Sequence, residues 1–173
     1  CALPSKYRNV SSILVQTRNF NYLLDCGKDS LYQINRIYGS FEVIKALNFI
    51  FISHSNADHL GLFQEFVLKF DFGLTLSVCG VLYCIDSCGV KVDTGDFTLA
   101  YSGDTKFDNF FVNLSMGCDL VIHESTFDDS LVERAKSTKH STVNDALQIW
   151  KLSGAKKLVL THFSQRYKTF FFR

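Results

Sequence analysis

The sequence predicts an α/β fold, and three observations carry that prediction. Apolar, β-prone runs recur, and each ends in acids or histidines: residues 49–52 before Ser53-His54, 97–101 before Ser102-Gly103-Asp104, 119–122 before His123-Glu124, and 157–161 before His162. Stretches with helical spacing and capping residues alternate with these runs. At 173 residues, 47% hydrophobic and 20% charged, the chain is long enough to bury a real core and is expected to form one domain.

In chain order, residues 3–9 read as a polar, basic loop leading into a strand at 10–15. Asn19-Phe20-Asn21 is a turn, and Tyr22-Leu23-Leu24-Asp25 the return strand, broken by Asp25-Cys26-Gly27. Leu31, Ile34, Ile37 and Tyr38 mark a helix with Gly39 as its C-cap. The run at 49–52 is apolar throughout, so it reads as a fully buried strand. Residues 62–70 fit a short helix. Strands follow at 74–84 and 88–93, parted by an Asp86-Ser87 turn, then at 97–101 after Thr94-Gly95-Asp96. A strand at 119–122 precedes a helix at 128–138 with Asp128 and Asp129 in its first turn. Ser141 or Thr142 caps the next helix, which runs to about Leu152 with Gly154 after it. A strand at 157–161 comes last.

The net charge of +1 supplies no global basic field, so any nucleic-acid binding rests on local patches. No apolar run is long enough to span a bilayer, no signal-peptide pattern opens the chain, and no membrane partner is expected. The first residue is Cys1 rather than Met, so the N-terminus is expected to be missing or processed. The six cysteines show no repeated Cys-x-x-Cys pair and read as reduced thiols of an intracellular protein, with Cys84 and Cys88 the pair to watch.

His54, Asp58, His59, Asp104, His123 and His162 all follow apolar runs, and none of the five histidines reads as lying mid-element on an apolar face. Imidazole and carboxylate together suit zinc or a similar borderline cation, or an acid–base site.

Seven blocks carry a resemblance. They are Pro4-Ser5-Lys6-Tyr7-Arg8-Asn9, Leu24-Asp25-Cys26-Gly27, Ile52-Ser53-His54 through Asp58-His59, Tyr101-Ser102-Gly103-Asp104-Thr105, His123-Glu124-Ser125-Thr126, Lys139-His140-Ser141-Thr142 and His162-Phe163-Ser164-Gln165-Arg166-Tyr167. In this order the chain resembles the tRNase Z (ribonuclease Z) family, specifically the catalytic C-terminal half of its long eukaryotic form. The resemblance implies an αββα metallo-β-lactamase sandwich over residues 1–173, with two zinc ions at the sheet edge. It implies a hydrolase that removes the 3′ trailer of precursor tRNA by attack of metal-activated water on a phosphodiester. By motif match, Asp58, His59, Asp104 and His162 hold one zinc and Asp104 bridges to a second, whose set includes His54. Asp58 also orients the water. Glu124 and His140 deliver a proton to the leaving oxygen. Lys6, Arg8, Asn9 and Arg166 meet the tRNA 3′ end.

The departures matter as much. Asn56 stands where the family motif has its second histidine, Tyr83 falls at a further ligand position, and Lys28 replaces a favoured glutamate. An amide oxygen is a poor zinc donor beside imidazole, and a phenol binds well only as phenolate. The expectation is therefore one well-formed zinc site and a second that is weak or empty. The chain is also shortened between residues 62 and 83, and the tRNA-gripping arm of long forms is expected from a partner chain or a homodimer. The alternative is a non-catalytic RNA-binding or partner subunit with a degraded metal site, and a third reading is a fold-mate using one metal for other hydrolase chemistry. Nucleus, cytoplasm and mitochondrion are all compatible with the sequence.

Overall fold

The computed structural model describes residues 11–27, 30–54, 66–70 (backbone only) and 73–167. These fall into two compact units, residues 1–52 with 164–173, and residues 53–163.

In the first unit β1 (Ile13–Gln16) and β2 (Asn21–Leu24) form an antiparallel hairpin, and β3 (Phe49–Phe51) joins β2 in parallel. Helices α1 (Ser30–Tyr38) and α2 (Glu42–Lys45) make the crossover between them. Tyr22, Leu23 and Leu24 are fully buried, and Tyr22 stacks on Phe49 at 4.8 Å. The run expected to be buried throughout is instead an edge strand, with Ile50 46% exposed. Among the described residues β3 pairs only with β2, and its pleat turns Ile50 to the opposite face from Phe49 and Phe51.

The second unit carries a six-stranded sheet in the order β4 (Phe66–Phe70), β5 (Leu74–Gly80), β6 (Cys88–Asp93), β7 (Thr98–Tyr101), β8 (Leu120–Glu124), β9 (Leu158–Thr161). The first three pairings are antiparallel, and β7–β8 and β8–β9 are parallel. The helix expected at 62–70 is replaced over its described part by β4, which pairs with β5 from Phe66↔Val78 to Phe70↔Leu74. Few residues are available for a helix there, and a neighbouring strand offers every backbone group a partner. The expected strand 74–84 stops at Gly80 and gives way to a loop holding Tyr83.

Helices α3 (Asn109–Leu114) and α5 (Val143–Ser153) pack on this sheet, joining Cys79, Ala100, Phe111, Val121 and Ile149 in one apolar core. The sequence reading has no element at α3, although Asp108 caps it by accepting from Phe110 N at 2.8 Å. The same carboxylate accepts from Leu82 N at 3.0 Å, which fixes the Tyr83 loop to the helix start. α4 (Val132–Thr138) ends in left-handed Lys139, and Thr142 with Asp145 closes a capping box on α5.

Asp119 ties β8 to the start of β7, accepting from Thr98 N at 2.8 Å and Lys156 Nζ at 2.6 Å. The Lys156 hydrogen bond, then the Thr98 donors, hold its carboxyl down to about 2. A folded-state value below the unfolded one gives stability that is present above pH 4 and lost as pH falls toward 2. Its side chain keeps 24% of its surface in water, so the contribution is at most about 1 kcal/mol. Asp119→Asn is expected to flatten the acid limb of stability by that amount, measured by denaturant unfolding across pH 2–6.

Candidate functional site

β7, β8 and β9 run parallel, so their C-terminal ends share one edge of the sheet. The loop after β7 brings Asp104, β8 ends in Glu124, the link between α4 and α5 brings His140, and His162 follows β9. One ligand atom from each lies within 4.8 Å of all the others. Gly103 allows the β7 loop to turn close: its φ is +60°, and a Cβ there would stand 2.6 Å from Ser53 Cβ. Ser53 in turn accepts from Cys88 N at 2.8 Å through its carbonyl and contacts His54 Nδ1 at 3.0 Å through Oγ.

Glu124 has no exposed surface and takes five hydrogen bonds. Oε1 accepts from Thr105 N at 2.9 Å and His140 Nδ1 at 2.7 Å. Oε2 accepts from Thr126 N at 3.1 Å, Thr126 Oγ1 at 2.7 Å and Ser141 N at 3.2 Å. Burial pushes its pKa up, but the His140 bond and charge, with Thr126, outweigh burial and hold the carboxyl below its ordinary range. For His140, burial works downward and Glu124 more than reverses it, so its pKa is raised. His162 is different: burial dominates over Asp104 and Glu124, and its pKa is lowered. Its Nε2 stands 3.4 Å from Asp104 Oδ1, and its ring stacks on His140 at 5.4 Å.

These facts decide which residues fit a metal. Glu124 already spends both oxygens on five donors, so its place in the cluster is that of an organiser. Asp104 and His162 bring a carboxylate oxygen and an imidazole nitrogen face to face, and these two ligand types together suit a borderline cation such as zinc.

Two family models match the chain: one described as anti-Pycsar protein Apyc1 over residues 2–79, and one as a beta-lactamase superfamily domain over residues 84–163. Mitochondrial ribonuclease Z of Drosophila melanogaster is 30% identical over 95% of this chain and 30% of its own length. Ribonuclease Z 1 of Schizosaccharomyces pombe is 28% identical over 96% of this chain and 30% of its own. The crystal structure of human tRNase Z, short form, superposes with a TM-score of 0.72 at 22% identity, over 95% of this chain and 90% of that one. The chain is a relative of ribonuclease Z, built on the metallo-β-lactamase fold. It spans under a third of the length of these two curated ribonuclease Z relatives.

Of the positions matched to ribonuclease Z motifs, the structure gathers Asp104, Glu124, His140 and His162. Tyr83 leans over this group, its ring 5.0 Å from His140 and 5.3 Å edge-on from His54. Burial first, then Asp104, Cys84 and Glu124, pushes its phenol up, so Tyr83 stays protonated. Arg166 belongs to the other unit, where its Nε donates to Ser164 Oγ at 2.9 Å. Asp58, His59, Asn56, Lys6, Arg8 and Asn9 lie outside the described residues.

His123 corrects the sequence reading. It lies inside β8, fully buried, edge-on to Phe111 at 5.4 Å, with Nδ1 donating to Glu124 O at 2.7 Å. It is a core histidine, its pKa lowered by burial. Thr105, Thr126 and Ser141 stand in the matching blocks, but the sequence reading gave them no part in holding Glu124. Their signal was plain proximity: each directly follows or nearly follows a motif acid or histidine.

Proposed function

We propose that this chain is the catalytic part of a zinc-dependent endoribonuclease that removes the 3′ trailer of precursor tRNA. The observation that supports it best is the pairing of two distinct devices on one sheet edge: a metal-facing couple, Asp104 and His162, and a proton-carrying couple, Glu124 and His140. Both agree with the names of the relatives, ribonuclease Z.

In this reading Asp104 and His162, with Asp58 and His59, hold one zinc, and His54 with Asp104 forms the remnant of a second site. Bound zinc supplies Lewis-acid polarisation of the phosphoryl group and a hydroxide at neutral pH. Asp58 orients the attacking water. His140, held by Glu124, carries the proton that the leaving 3′ oxygen needs, and the raised affinity of its ring for that proton suits a general acid. Lys6, Arg8, Asn9 and Arg166 position the RNA through phosphates and base edges. The setting is intracellular, with further tRNA contacts from a partner chain or a second copy.

A second reading, a non-catalytic RNA-binding subunit, is favoured by Tyr83, whose neutral phenol is a poor metal donor. One experiment separates the two: zinc per chain by elemental analysis, with precursor-tRNA cleavage on the same sample. One zinc with cleavage supports the enzyme. RNA binding without cleavage supports the subunit, and absence of metal overturns the site. The double variant Asn56→His with Tyr83→His is expected to raise zinc from one to two per chain.

A further inference from the structure

We infer that Thr126 is a positioning residue that sets the tautomer of His162, turning its Nε2 lone pair toward Asp104. The inference rests on the reading of His162 as a metal ligand. Thr126 is 7% exposed, and its hydroxyl has two short contacts, to Glu124 Oε2 at 2.7 Å and to His162 Nδ1 at 2.8 Å. A hydroxyl has one proton to give. Ionised Glu124 has none, so the proton of Thr126 goes to that carboxylate, where the bond is charge-assisted. His162 must then bring its own proton on Nδ1.

The other neighbours fit this assignment. His140 Nδ1, 3.3 Å from the same hydroxyl, gives its proton to Glu124 Oε1 at 2.7 Å. The carbonyl of His162 lies 3.2 Å from Thr126 Oγ1, longer than either short contact. A histidine that binds a metal keeps one ring proton; with that proton on Nδ1, the lone pair is on Nε2, and it is Nε2 that stands 3.4 Å from Asp104. The hydroxyl therefore links the two couples of the site, with Glu124 orienting His140 through one oxygen and His162 through the other. Outer partners of this type usually change metal affinity by about 10–100-fold when removed.

The test uses the whole chain labelled with 15N-histidine and freed of metal, with zinc affinity measured separately by chelator competition. In the unsubstituted chain the 15N shifts of His162 are expected to report Nδ1–H; an Nε2–H ring would overturn the inference whatever the variants do. Thr126→Ser is expected to keep both the tautomer and the affinity. Thr126→Val is expected to lose the Nδ1–H preference and to bind zinc about 10–100-fold more weakly. Equal zinc affinity in the valine variant would also overturn it. An unsubstituted chain that binds no zinc would instead sink the metal reading, while its tautomer still decides the role of Thr126.

Discussion

Glu124→Gln is expected to lower folding stability by about 3–5 kcal/mol, as when one member of a buried charged pair is removed. The amide has the shape of the carboxylate but offers one accepting oxygen and one donating nitrogen. Whichever way it turns, the nitrogen meets donors: Thr105 N and His140 on one side, or both Thr126 groups and Ser141 N on the other. At least two buried donors lose their acceptor, and each such loss costs about 1–3 kcal/mol. His140 also loses the carboxylate that raises its affinity for a proton. Urea unfolding at pH 7 measures the change. A loss under about 1 kcal/mol would mean that water reaches Glu124 and that the network is not a closed one.

His140→Ala is expected to cut precursor-tRNA cleavage by about 10²–10⁴-fold, the range for a lost general acid. Zinc content is expected to stay the same, because Glu124 already holds the Nδ1 proton and the couple proposed to hold the metal is Asp104 with His162. Single-turnover cleavage and metal analysis on one preparation check both halves. A parallel loss of zinc would make His140 a ligand, which its closeness to the other three donor groups would permit.

Much of this site was legible because acids and histidines follow apolar runs. That pattern singled out Asp104 and His162 without any knowledge of pairing, the resemblance added Glu124 and His140, and the parallel order of β7, β8 and β9 explains why Asp104, Glu124 and His162 converge. The same pattern misplaced His123. Adjacent strand residues face opposite ways, so β8 sends Glu124 into the site network and His123 into the core against Phe111; a linear string cannot say which goes where. The β4 segment failed for another reason: its partner β5 decides its state, and that pairing is non-local information. Thr142 as the cap of α5 was readable, because a capping box acts over four residues. The positioning role inferred for Thr126 was not, since it depends on side chains drawn from separate elements.

Among the described residues only Asp25, Lys139 and His162 adopt positive φ without being glycine. Lys139 immediately precedes His140, and His162 is itself in the couple proposed to hold the metal. Left-handed backbone costs about 1–2 kcal/mol for a residue with a Cβ. A search for hardier variants would therefore be drawn to glycine at both positions. At 139 the relief and the chemistry are separable, because the lysine side chain has no part in the site network. At 162 they are not: the same change that relaxes the chain deletes the imidazole. Activity and robustness compete there, within one residue.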